Sequence, residues 1–178
     1  TTLITIGGNY SNYLHACSYL PELENIQCVF IIKGHQPKKY GHTLQHIQNK
    51  NIPHYFYPKN EVKHHLDDIL AKLQIQYPQS YYIPEGGKNE WSHLGFEPLI
   101  QEEMKTFDTI CVPVGSLATY QGIQHYLPPH TKLIGYAAHK DYSFVSDALG
   151  IRYDYSFGGF AKMTSELMDF AIPFHKEY

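Results

Sequence analysis

Hydrophobic and polar positions alternate along the chain in two rhythms that take turns. Short apolar runs predict strands at Leu3–Ile6, Cys28–Ile32, Tyr55–Tyr57, Tyr81–Ile83, Thr109–Val114 and Lys132–Ala138. Helical spacing fills the gaps between them. Ser11 or Asn12 caps a helix expected to run towards Leu20 and stop near Pro21. A polar helix follows from Tyr40 to Lys50. From Glu61 to Tyr77, Val62, Leu66, Ile69, Leu70 and Leu73 share one helical face. Further helices are expected from Leu94 to Lys105, from after Ser116 to Tyr126, and from Ser165 to Phe174. Strand and helix alternating in this way predict an α/β fold with mainly parallel sheets buried on both faces. The polar stretch Gln74–Ser80 separates two sets of such units, so residues 1–80 and 81–178 are expected as two lobes.

The 178 residues suffice for one sizeable core or two small ones. A net charge of -3 leaves no electrostatic footprint for nucleic acid or an anionic membrane. No apolar run has the length of a membrane span. Cys17, Cys28 and Cys111 are odd in number and form no C-x-x-C pair, which predicts buried free thiols in a reducing compartment, the cytoplasm. The chain opens on a strand-like run without an initiator Met and closes beside a helix-like pattern, so both ends read as cuts. The histidines are expected to be solvated or structural, not metal ligands. His64 and His65 face apart on a helix, and His125 and His130 flank a Pro-Pro turn.

Ligands of open α/β sheets bind beyond the carboxyl ends of the strands. Three glycine-containing turns fall at such ends: Gly7–Asn12, Pro84–Asn89 and Gly115–Thr119. Gly115-Ser116-Leu117-Ala118-Thr119 has the makings of a phosphate cradle: backbone N–H groups at a helix start, two hydroxyls, and a glycine that admits close approach. The Gly7–Tyr13 turn could hold a carboxylate in the same way, with Ser11 and Asn12 donating. For each turn the plainer alternative is a capped strand-to-helix junction. There is no G-x-G-x-x-G, no P-loop and no G-x-S-x-G elbow.

Taken in order, these segments resemble one family. Gly7-Gly8-x-x-Ser11-Asn12 is similar to the GG-x-x-SN signature of the 1-aminocyclopropane-1-carboxylate deaminase and D-cysteine desulfhydrase family. Ile83–Asn89 with Leu94-Gly95-Phe96 resembles its IPEGG-x-N and LG-F/Y segment. Phe107-Asp108 and Val112–Thr119, continuing to Gly122, resemble its phosphate loop, and Phe157–Lys162 a late motif.

The resemblance implies the tryptophan-synthase-β-like fold, fold type II: two three-layer lobes, incomplete here, with pyridoxal 5'-phosphate held as a Schiff base to a lysine between them. It assigns residues 1–80 to part of the small domain and 81–178 to part of the large, cofactor-binding one. Gly115, Ser116, Leu117, Ala118 and Thr119 would take the cofactor phosphate; Ser11, Asn12 and Tyr13 the substrate carboxylate. Glu85, Gly86, Gly87, Asn89 and Phe160 would line the cleft. The implied activity is that of a deaminase or desulfhydrase that converts a small amino acid into a 2-oxo acid and ammonia, in a homodimer.

The family's Schiff-base lysine precedes the GG-x-x-SN segment, so the catalytic residue is not in this chain, and the chain alone is expected to be inactive. Other departures are Tyr13 for His or Gln, Leu117-Ala118 for the commoner Gly-Gly, Ser92 for Gly, and Phe160 for Tyr. They leave open a non-catalytic, anion-binding relative. An unrelated nucleotide-binding α/β domain is the remaining alternative.

Overall fold

The computed structural model describes residues 1–100, 102, 104–138, 150–158 and 162–177. The chain divides into two compact units, Thr1–Asn89 and Glu90–Tyr178.

In the first unit, β1 (Thr2–Gly8) leads through α1 (Asn12–Cys17) and α2 (Leu20–Leu23) to β2 (Gln27–Lys33). Then come α3 (His42–Asn49), β3 (His54–Tyr57), α4 (Lys59–Gln76) and β4 (Ser80–Ile83). The strands form one parallel sheet in the order β3-β2-β1-β4. Successive side chains of a strand point to opposite faces, and the two central strands use both. Leu3, Cys28, Phe30 and Ile32 pack with Leu14 of α1 and Leu44 and Ile47 of α3. Ile4, Ile6, Val29 and Ile31 pack with Val62, Ile69 and Leu73 of α4. The result is three layers, helix–sheet–helix.

Three expectations shift here. The helix predicted from Ser11 to Leu20 breaks at Ser18–Tyr19 and restarts as α2, which carries Pro21 in its first turn, where a missing N–H costs nothing. α4 contains a kink at His65 (φ -133°, ψ 26°). Tyr81–Ile83 does not begin the second lobe. As part of β4 it pairs with β1 and completes the first sheet, so the division falls after Asn89 rather than at residue 80.

In the second unit, β5 (Thr109–Val114), α5 (Ala118–Tyr126), β6 (Lys132–Ala137) and β7 (Ile151–Arg152) build a parallel sheet in the order β5-β6-β7, and α6 spans Ser165–Glu177. Val112, Val114, Leu117, Tyr120, Ile123, Leu133 and Ala137 form its core. Along β5 only Val112 and Val114 are buried, while Thr109, Cys111 and Pro113 are exposed. Among the described residues this strand thus shows one covered face where a three-layer lobe predicts two. For the same reason Cys111 is an exposed thiol, against expectation, whereas Cys17 and Cys28 are buried and free.

The helix expected over Leu94–Lys105 is instead a 3-10 segment at Ser92–Leu99 and a 3-10 turn at Met104–Thr106. Gly95 and Pro98 weaken an α-helix there, and the tighter turn tolerates them. Phe96 from this segment lies across Gly122 of α5, where an added Cβ would sit 2.1 Å from its ring. Gly122→Ala should therefore destabilise the second unit. Overpacking costs about 1–3 kcal/mol, against a helix-propensity gain of about 1 kcal/mol. Thermal unfolding checks this, and Phe96→Leu in the same chain should restore part of the loss.

Candidate functional site

The Gly7–Tyr13 turn is built by a close approach. α1 folds back over the end of β1, so a Cβ on Gly7 would fall 2.7 Å from Ser11 Oγ and 2.8 Å from Leu14 Cγ. Ser11 is the N-cap of α1, its Oγ accepting from the Leu14 N–H at 3.2 Å. Capping, the plainer alternative, is realised here. It uses an oxygen lone pair and leaves the hydroxyl proton available to an acceptor. Asn12 is the exposed first residue of the helix.

Tyr13 turns back towards the sheet. The Thr5 hydroxyl donates to the Ile83 carbonyl at 2.7 Å and lies 3.1 Å from the Tyr13 phenol oxygen. With its single proton given to Ile83, Thr5 accepts from Tyr13. Burial pushes the Tyr13 phenol well above its usual range, so it stays neutral. Its ring rests against Gly87, where a Cβ would come within 3.3 Å.

The Pro84–Asn89 turn follows β4. Gly86 and Gly87 take φ of +71° and +73°, a left-handed conformation that favours glycine. Glu85 pairs with Lys33 at the end of β2, a contact between partly exposed side chains that sequence reading did not anticipate. Asn89 is half-buried. These residues, with Ser11, Asn12 and Tyr13, all belong to the first unit.

The Gly115–Thr119 turn in the second unit is built differently. No side chain caps the start of α5. Gly115, Ser116 and Thr119 are exposed, and a Cβ on Gly115 would meet nothing within 4 Å. Neither packing nor a left-handed φ explains that glycine. Leu117, at the N-cap, has φ 68° and ψ -16°. For a non-glycine residue this costs about 1–3 kcal/mol. The Leu117 side chain is 5% exposed in the core, and its burial, worth about 1.5–3 kcal/mol, offsets the strain. The same conformation gives a physical reason for the first of the two glycines that the resemblance places at 117–118. Phe160 lies outside the described residues.

Sequence reading also missed a cluster of imidazoles. His42 and His46, four residues apart on α3, meet His15 of α1. The H-x-x-x-H spacing from 42 to 46 was the available signal. Among the described residues no group of three or more His, Cys, Asp or Glu side chains is placed to hold a metal ion, and no helix is long and apolar enough to cross a membrane.

No family model matches the chain. A protein of Pyrococcus horikoshii named "Putative 1-aminocyclopropane-1-carboxylate deaminase" is 25% identical over 192 residues, covering 93% of this chain and 59% of its own length. A Thermotoga maritima protein of the same name is 26% identical over 145 residues, covering 76% of this chain and 46% of its own length. The chain thus spans roughly half to three fifths of the length of these relatives. Among solved structures, one described as an "ACC deaminase homologue" superposes with a TM-score of 0.71 at 21% identity, over 98% of this chain and 62% of its own. The chain has the parallel α/β architecture of fold type II, and it resembles the 1-aminocyclopropane-1-carboxylate deaminase family in sequence and in fold.

Proposed function

We propose that the chain is part of a pyridoxal-phosphate-dependent deaminase or lyase for a small amino acid, of the 1-aminocyclopropane-1-carboxylate or D-cysteine class, yielding a 2-oxo acid and ammonia. The observation that carries this is the start of α5. Two exposed hydroxyls, a helix N-terminus without a side-chain cap, and a glycine facing open space occur together at the carboxyl end of β5. A dianionic phosphoryl group suits these donors and the positive end of the helix dipole. Pyridoxal phosphate, when bound, supplies the electron sink for chemistry at the amino acid's α-carbon.

In this reading Gly115, Ser116, Leu117, Ala118 and Thr119 grip the phosphoryl group. Ser11 and Asn12 donate to the substrate carboxylate, while the Ser11 oxygen goes on capping α1. Tyr13 braces the Gly86–Gly87 turn from behind, and Glu85 and Asn89 shape the substrate side. The cytoplasm, a homodimeric assembly, and the absence of nucleic-acid and membrane partners belong to the same proposal.

The test is a titration of the chain with pyridoxal phosphate and, separately, inorganic phosphate, followed by amide chemical shifts. Both should move the resonances of Gly115–Thr119. Ser116→Ala should weaken binding about tenfold, the loss of one charge-assisted hydrogen bond of about 1.4 kcal/mol or more. Binding of neither, or shifts confined to other residues, would sink the assignment. A second reading, a non-catalytic anion-binding relative, draws support from Leu117 and Ala118, which stand where the resemblance places Gly-Gly. It predicts equal response to phosphate and pyridoxal phosphate, and no turnover by a chain extended to include a lysine before β1.

A further inference from the structure

The imidazole cluster lies on the α1–α3 face of the first sheet, one helical turn from Ser11, whose carbonyl accepts from the His15 N–H at 3.1 Å. The His15 and His46 ring centroids are 4.4 Å apart, those of His15 and His42 5.2 Å, and those of His42 and His46 6.5 Å. Tyr19 closes the group, 5.7 Å from His15 and 4.9 Å from His46. The Nε2 atoms of His15 and His46 are buried with no hydrogen-bond partner.

Charges facing the cluster come from each neighbouring element. Lys50, at the end of α3, sits 4.4 Å above the Tyr19 ring. Glu22 of α2 is a carboxylate that faces His46, and Lys50 already engages it at 2.5 Å. A protonated imidazole needs acceptors for both N–H groups. Here it would gain an N–H without an acceptor, and it would stand beside a lysine.

We propose that the packing of His46 against His15 and His42 forms a proton-sensitive latch between α1 and α3, closed while His46 is neutral and loosened when mild acid protonates it. Desolvation, and then the electrostatic influence of His15, Lys50 and His42, hold His46 below its ordinary 6.5. A folded-state value below the unfolded one means that its stabilisation is full above about pH 6.5 and is lost as pH falls through the folded value. The latch has a consequence for the site because α1 carries Ser11, Asn12 and Tyr13 near its start. Loosening α1 from α3 disorders that corner and leaves the α4 face of the sheet intact. The inference itself stands whether or not pyridoxal phosphate binds.

Hydrogen exchange of the chain at about pH 7.5 and about pH 5.5, corrected for intrinsic rates, tests this. Acidification should lower protection severalfold in α1 and α3 but not in α4. His15→Gln with His46→Gln should remove the difference, since glutamine does not titrate. His64→Gln with His65→Gln, on α4, should leave it unchanged. If the first double variant fails to fold, His42→Gln, at an exposed position, should reduce the response. Equal loss of protection in α4, a response that survives the first double variant, or no change in His42→Gln would overturn the proposal.

Discussion

Phe30→Ala is expected to destabilise the first unit by about 3–5 kcal/mol. Phe30 lies in the middle of β2 with no exposed surface, between β1 and β3, and its ring faces the α1–α3 layer. It packs in one cluster with Leu3, Leu14, Leu44 and Ile47, residues from a neighbouring strand and both helices. Those neighbours are anchored in separate elements and cannot collapse together into the space. A small domain's whole stability is about 5–15 kcal/mol, so the loss would leave a measurable unfolded population in water. Urea denaturation followed by circular dichroism should show a lower midpoint at an unchanged slope. A midpoint within error of the parent would mean that the α1–α3 layer does not pack on β2 as described.

Leu14→Ala comes next, at about 2–5 kcal/mol. Leu14 is fully buried and is the anchor of a helix only six residues long. A helix that short has little stability of its own and is held by the face it buries. Leu14 also supplies the backbone N–H that donates to Ser11 Oγ, and its side chain packs over Gly7. The substitution keeps the N–H and removes the anchor. Stability should therefore fall together with the order of the Ser11 corner. Hydrogen exchange at Asn12–Cys17 should accelerate beyond the global change, and binding of a carboxylate at Ser11 and Asn12 should weaken. If α1 keeps its protection while global stability falls, some other contact holds the helix.

These two residues also show where pattern alone succeeds. The apolar run Cys28–Ile32 is readable as a strand buried on both faces because every position in it is apolar. The 3.6-residue spacing of Val62, Ile69 and Leu73 is readable as a helix face for the same kind of reason. The turns at Gly7, Pro84 and Gly115 were legible because small and capping residues cluster between two periodicities. What each turn does was not, since Ser11 and Ser116 look alike as letters. Ser11 caps its helix and no side chain caps the other, a difference set by how the chain approaches its own backbone.

The order of strand and helix, the parallel class and the positions of the three turns are local properties, written in periodicities that each segment carries alone. Sheet membership is not local. β4 joins β1 across more than seventy residues, and no pattern within Tyr81–Ile83 says which sheet it will enter. The left-handed Leu117, the neutral phenol of Tyr13 under Gly87 and the meeting of His15 with His46 likewise depend on packing between distant segments. Burial and close approach decide those features, and they exist only once the layers have assembled.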